Sequence, residues 1–188
     1  TAKITAQHAL IYEELIRTFG KEKARLYYDA NSDGLQLIEK LVAELHIDCD
    51  FENKNAVVYA TTEKGVNDIR KEVRAYQQLE IRGRFSMGQL QELPFMTMAA
   101  LTMPSQAQFH PVKFLVPLLD EIITAGGKIY EQTRVVKCRH ANKIEMENGT
   151  VLSANKVVIA SHFPFNDFNG LYFTKLEINR SYGIAAKV

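Results

Sequence analysis

Residues 110–160, HPVKFLVPLLDEIITAGGKIYEQTRVVKCRHANKIEMENGTVLSANKVVIA, decide the fold class. Pro111 suits a first helical turn, where its missing N–H costs nothing. Phe114, Leu115, Leu118, Leu119 and Ile122 follow at helical spacing, and Gly126-Gly127 supply a stop. Pro117 predicts a kink or an internal restart. Short strand-like pieces come next: Lys128–Glu131, Arg134–Cys138 and Lys143–Glu147, with a polar turn at Ala141-Asn142. Asn148-Gly149 is a strong hairpin signal and leads into Thr150-Val151-Leu152. Lys156-Val157-Val158-Ile159-Ala160 is continuously apolar, the pattern of a strand buried on both faces. Helix, hairpin and buried strand in succession predict a mixed α/β (α+β) chain.

Toward the N-terminus the first 46 residues read as helical. Ala9, Leu10, Ile16 and Phe19 recur at helical spacing before Gly20. Ala24, Tyr27, Leu35, Ile38, Leu41, Val42 and Leu45 continue that spacing through Asn31-Ser32-Asp33-Gly34, which favours one long helix, straight or bent, over a break with a new N-cap there. The pattern then changes. His46–Phe51 alternates, Glu52–Asn55 resembles a turn, and Ala56–Ala60 reads as a strand. Thr61 or Thr62 before Glu63 marks a helix start, with Val66, Ile69, Val73 and Tyr76 as its apolar stripe. Arg70, Lys71, Glu72 and Arg74 are assigned to its wet side. Residues 80–109 read as the least regular third, punctuated by glycine and proline and holding four of the five methionines.

Composition excludes several classes. The chain has 188 residues, 23 Lys plus Arg against 22 Asp plus Glu, and a formal net charge of +1. That balance provides no field toward nucleic acid or an acidic membrane. At 46% hydrophobic and 24% charged it has the profile of a folded soluble protein. No run approaches a membrane span. Cys49 and Cys138 are isolated thiols, which fits a reducing, cytoplasmic setting. The five histidines show no metal-ligand spacing. GRFSMG at 83–88 lacks the spacing of a nucleophile elbow. The first residue is Thr1, and the last run, Ser181–Val188, is strand-like, so the chain is expected to be a piece of a longer protein.

Three segments carry a family likeness: TAKITAQHALIY at the start, KIYEQTRV at 128–135, and VVIASHFPF with the downstream GLYFTKL and RSYGIA. Together they resemble the D-amino-acid oxidase and glycine oxidase group of FAD-dependent oxidoreductases. The resemblance implies part of an FAD-binding lobe (1–46 and 110–165) and part of a substrate lobe (47–109 and 166–188), the latter a sheet with a helix packed on it. It implies main-chain contacts from Val135 to the adenine. A small-residue turn at Ala160-Ser161 would lie close to the flavin, with His162 beside it. Thr1, Ala2 and Lys3 would lie near the pyrophosphate and isoalloxazine. The implied reaction of the complete enzyme is hydride removal from a C–N bond of an amine or amino acid.

Departures from the family pattern limit what this stretch can do alone. No GxGxxG loop, the family's phosphate cradle, occurs in it. Ala160-Ser161-His162 stands where the family has Ala-Thr-Gly. FAD binding by these 188 residues alone is therefore expected to be weak or absent, activity nil, and self-association through uncovered surfaces expected. In some members of this branch a Rieske iron–sulfur domain follows. No catalytic or substrate-binding residue is assigned. The competing reading is a stand-alone α+β binding or scaffold domain without cofactor.

Overall fold

The computed structural model describes residues 2–91, 93–139, 142–165, 170–178 and 180. Two compact units divide the chain, Thr1–Gly127 and Lys128–Val188.

The first unit is built on one antiparallel sheet, sheet A. Its central strand is β4 (Ala99–Gln108). β2 (Glu52–Ala60) pairs along one edge of β4. Two short strands share the other edge: β1 (Lys3–Ile4) against Gln108 and Ala107, and β3 (Arg84–Met87) against residues 99–102. The irregular reading of residues 80–109 is therefore corrected, because β4, a central strand, lies within them. Pro104 and the positive φ of Ser105 disguise it; both sit where β4 bulges against Lys54–Ala56. Glu52–Asn55 is likewise strand rather than turn, since that bulge absorbs its polar run.

Four helices complete this unit among the described residues. α1 (Tyr12–Phe19) and α2 (Lys21–Glu44) meet at Gly20, whose φ of 85° suits glycine alone. α2 runs unbroken through Asn31–Gly34, as its spacing predicts. α3 (Glu63–Gln78) starts where expected, capped by the Thr62 hydroxyl accepting from Gly65 N–H at 3.2 Å. Its Val66, Ile69, Ala75 and Tyr76 pack with Leu101 and Met103 of β4 and with Tyr12 of α1. α4 (Pro111–Thr124) keeps Pro117 within one helix. Only Phe114 of its stripe is buried; Leu115, Leu119 and Ile122 are exposed.

Glu72 departs from its assigned place on the wet face of α3: it is fully buried. Its carboxylate accepts the backbone N–H groups of Tyr12 and Glu13 at 2.8 and 2.9 Å. α1 has no side-chain cap at Ile11, so Glu72 satisfies two N–H groups that would otherwise be orphaned.

The second unit holds sheet B, antiparallel in the order β5 (Val135–Arg139), β6 (Lys143–Met146) and β7 (Val151–Ser153). The Asn-Gly turn forms as predicted: Gly149 has φ 81°, and Asn148 Oδ1 accepts Thr150 N–H at 3.0 Å. Lys128–Glu131 is not a strand. Neither is Lys156–Ala160, whose Val158 is 88% exposed. An apolar run becomes a doubly buried strand only beside flanking strands, and no described strand pairs with it. Tyr172–Lys175 forms a short 3-10 turn. The run Ser181–Val188 lies outside the described residues, as does Ala141 of the predicted polar turn.

Candidate functional site

Ala2 and Lys3 are held by β1. The Ala2 carbonyl accepts Phe109 N–H at 2.9 Å, and Lys3 lies opposite Gln108 in the register. Lys3 borders a cleft of about 260 Å³ at this end of sheet A, with Thr5, Gln7, Lys54 and Gln106 also on its wall. Glu52 pairs with Lys54 at 2.7 Å, whereas Lys3 has no ion-pair partner among the described residues. A free ammonium on a polar cleft favours an anionic group there. Thr1 lies outside the described residues.

Two glutamines shape this cleft, and the sequence reading passed over both. Gln106 is buried in β4; its side-chain oxygen accepts Ala6 N–H at 2.7 Å and its amide donates to the Pro104 carbonyl at 2.9 Å. Gln7 is also buried and donates to the Leu101 carbonyl at 3.1 Å and to the Tyr76 hydroxyl at 3.3 Å. These bonds tie the segment after β1 to β4 and to α3. The available signal was polar residues at alternate positions in Gln106-Ala107-Gln108, a strand pattern. Burial raises the Tyr76 and Tyr12 hydroxyls far above the ordinary tyrosine range, so both stay neutral; the Tyr12 hydroxyl donates to the Ala6 carbonyl, and that of Tyr76 accepts from Gln7.

The remaining predicted residues lie in the second unit. Val135 opens β5, an edge strand of sheet B, so part of its backbone bonding capacity faces away from β6. Ala160, Ser161 and His162 are exposed and contiguous. Phe163 N–H donates to the Ser161 carbonyl at 2.7 Å, closing a three-residue turn around His162 at φ 66°. Ser161 Oγ donates to the Phe163 carbonyl at 2.8 Å. An edge strand with unpaired backbone groups and a turn of small residues are chemically compatible with a flavin dinucleotide. No group of acidic, histidine or cysteine side chains suited to a metal occurs among the described residues. No described helix is long and apolar enough to cross a membrane.

A family model described as FAD dependent oxidoreductase matches residues 3–177. The chain belongs to this family. A Bacillus subtilis (strain 168) protein, YhfW, named for a Rieske 2Fe-2S iron-sulfur protein, is 39% identical to this FAD-dependent oxidoreductase chain over 189 aligned positions. That alignment takes in 100% of the chain and 37% of YhfW, so the chain spans little more than a third of its relative. Among solved structures, glycine oxidase from Geobacillus kaustophilus superposes with a TM-score of 0.59 at 18% identity, covering 86% of this chain and 44% of that one. L-proline dehydrogenase from P. horikoshii gives 0.51 at 12% identity, covering 65% and 34%. At these identities the two structures bear on fold alone, and they agree with the α+β class.

Proposed function

We propose that this chain is the inner portion of a flavoenzyme that removes hydride from the C–N bond of a small amine or amino acid. One observation carries the reading: the family match runs from Lys3 to Glu177 and so spans every described position proposed for the cofactor except Ala2. The names of the two similar structures, a glycine oxidase and an L-proline dehydrogenase, support a small amino acid or amine as substrate.

Bound FAD supplies the hydride acceptor. The chain's own residues supply position and polarity. Val135 offers main-chain N–H and C=O to the adenine, which makes its side chain incidental. Ala160 and Ser161 admit close approach, and His162 lies beside them. Ala2 lies near the pyrophosphate and isoalloxazine, and the Lys3 ammonium draws negative charge toward them. Residues 1–46 and 110–165 belong to the flavin lobe, and residues 47–109 and 166–188 to the substrate lobe. The exposed apolar side chains of α4 and of Val158 and Ile159 are covered in the complete protein; in the chain alone they promote self-association. The name of YhfW supports an iron–sulfur acceptor over oxygen for reoxidation.

The test is anaerobic mixing of the complete protein with a panel of amino acids and amines while its visible flavin spectrum is recorded. Bleaching by at least one C–N substrate is the expected result. A flavin that only 2-hydroxy acids or other C–O substrates reduce overturns the C–N assignment.

A further inference from the structure

α4 begins at a histidine, which is not among the favoured capping residues. His110 stands at the N-cap with extended backbone, φ −93° and ψ 104°. Its Nδ1 accepts the Lys113 N–H at 3.3 Å, one of the first-turn donors that no helical carbonyl reaches. Pro111 follows at the start of the helix and has no N–H to satisfy. A serine, threonine, aspartate or asparagine in this place offers an oxygen that accepts at any pH near neutrality. An imidazole nitrogen accepts only while it carries no proton, and histidine is the side chain whose charge changes between about pH 5 and 8.

The cap is tied to the 46–51 loop. His110 N–H donates to the Cys49 carbonyl at 2.7 Å, and Lys113 Nζ pairs with Asp50 Oδ2 at 2.9 Å. Phe114 packs with Ile47 and Cys49 in a small core cluster and meets Phe109 edge-on at 5.3 Å. The charged and titratable groups around His110 and Lys113 are Asp48, Cys49 and Asp50. Lys113 holds the Asp50 carboxyl below its ordinary range, and Asp50 raises the Lys113 ammonium, so the pair keeps its charges across that window. Burial raises the Cys49 thiol, which stays neutral there.

We propose that His110 is a pH-sensitive cap: neutral, it fixes the first turn of α4; protonated, it releases the Lys113 N–H and loosens that turn from the 46–51 loop. A cation at a helix N-terminus also opposes the helix dipole, which adds to the effect, and Asp50 offsets it in part. The bond to the Cys49 carbonyl and the Asp50 pair do not depend on the imidazole's charge, so the response is confined to the start of α4. That start is where the chain passes from the stretch assigned to the substrate lobe into residues 110–165 of the flavin lobe. The device itself uses only α4 and the 46–51 loop, both in the first unit, and stands apart from the flavin reading.

Amide hydrogen exchange of the complete protein between about pH 5 and 8, resolved to single residues by mass-spectrometric fragmentation, tests it. Exchange of the imidazole Cε1 proton in the same samples gives the titration midpoint of His110. With the intrinsic pH dependence of exchange divided out, protection of the Lys113 amide falls about fivefold as pH drops through that midpoint, the loss of one cap. His110→Asn, whose side-chain oxygen accepts throughout the range, keeps Lys113 protected at every pH. His110→Ala protects it weakly at every pH, and His46→Asn, on the same loop, retains the wild-type fall. The proposal is overturned if wild-type Lys113 protection is flat or changes away from the His110 midpoint. It is equally overturned if the fall persists in His110→Asn, if it disappears in His46→Asn, or if His110→Ala protects Lys113 as well as the neutral wild type does.

Discussion

The carboxylate of Glu72, in the middle of α3, accepts the backbone N–H of Tyr12 at 2.8 Å across 60 residues of sequence. A second bond, from Glu13 N–H, makes Glu72 the cap of a helix it does not belong to. Glu72→Ala orphans both N–H groups inside the core and lowers stability by about 2–3 kcal/mol. Urea unfolding of the two proteins measures this.

The same residue sets a pH dependence. Burial raises the Glu72 carboxyl above its ordinary value, and the two backbone donors only partly oppose that. With the folded pKa above the unfolded one, its contribution is fully present below the unfolded pKa and lost as pH rises through the folded pKa. Glu72→Gln lacks this titration. As pH rises from the ordinary glutamate range through the folded pKa, wild type should therefore lose stability relative to Glu72→Gln, as read from paired denaturant titrations.

Gly83→Ala places a methyl group against the Tyr76 ring, at 2.6 Å. Tyr76 cannot swing aside easily, because it is buried, packs edge-on to Tyr12 at 5.4 Å and accepts from Gln7. The substitution should cost about 1–3 kcal/mol, the usual penalty of overpacking. The denaturation midpoint reports it.

Gln106→Leu removes the acceptor for Ala6 N–H and loosens the segment after β1 from β4. A loss of about 1–3 kcal/mol is expected, as for a buried donor left unsatisfied. Hydrogen exchange localises it: the Ala6 amide should exchange faster, while amides of sheet B keep their wild-type rates.

Local chemistry made the helices legible and left the sheets partly hidden. Thr62-Glu63 announced α3 because a cap acts within one turn, and Thr62→Ala should cost about 1 kcal/mol by the same logic. α2 was readable through Asn31–Gly34 because its apolar spacing persists across that polar patch. β4 escaped notice because Pro104 and Ser105 mark a bulge, which looks like a loop until β2 is seen opposite. Glu72 misled because periodicity counts a carboxylate as polar, whereas its burial depends on the distant start of α1. Val157–Ile159 misled in the opposite sense, since an apolar run carries no record of which strands flank it. The cofactor positions came from family likeness, and the cleft glutamines Gln7 and Gln106 emerged only once β1 and β4 were paired.

The most direct test of the central claim is the flavin content of the complete protein, wild type against Ala160→Trp. The account predicts FAD released on denaturation from folded wild-type protein, and a marked loss of it when an indole fills the small-residue turn at Ala160-Ser161. Folded wild-type protein that carries no flavin and takes up none from added FAD would contradict the account.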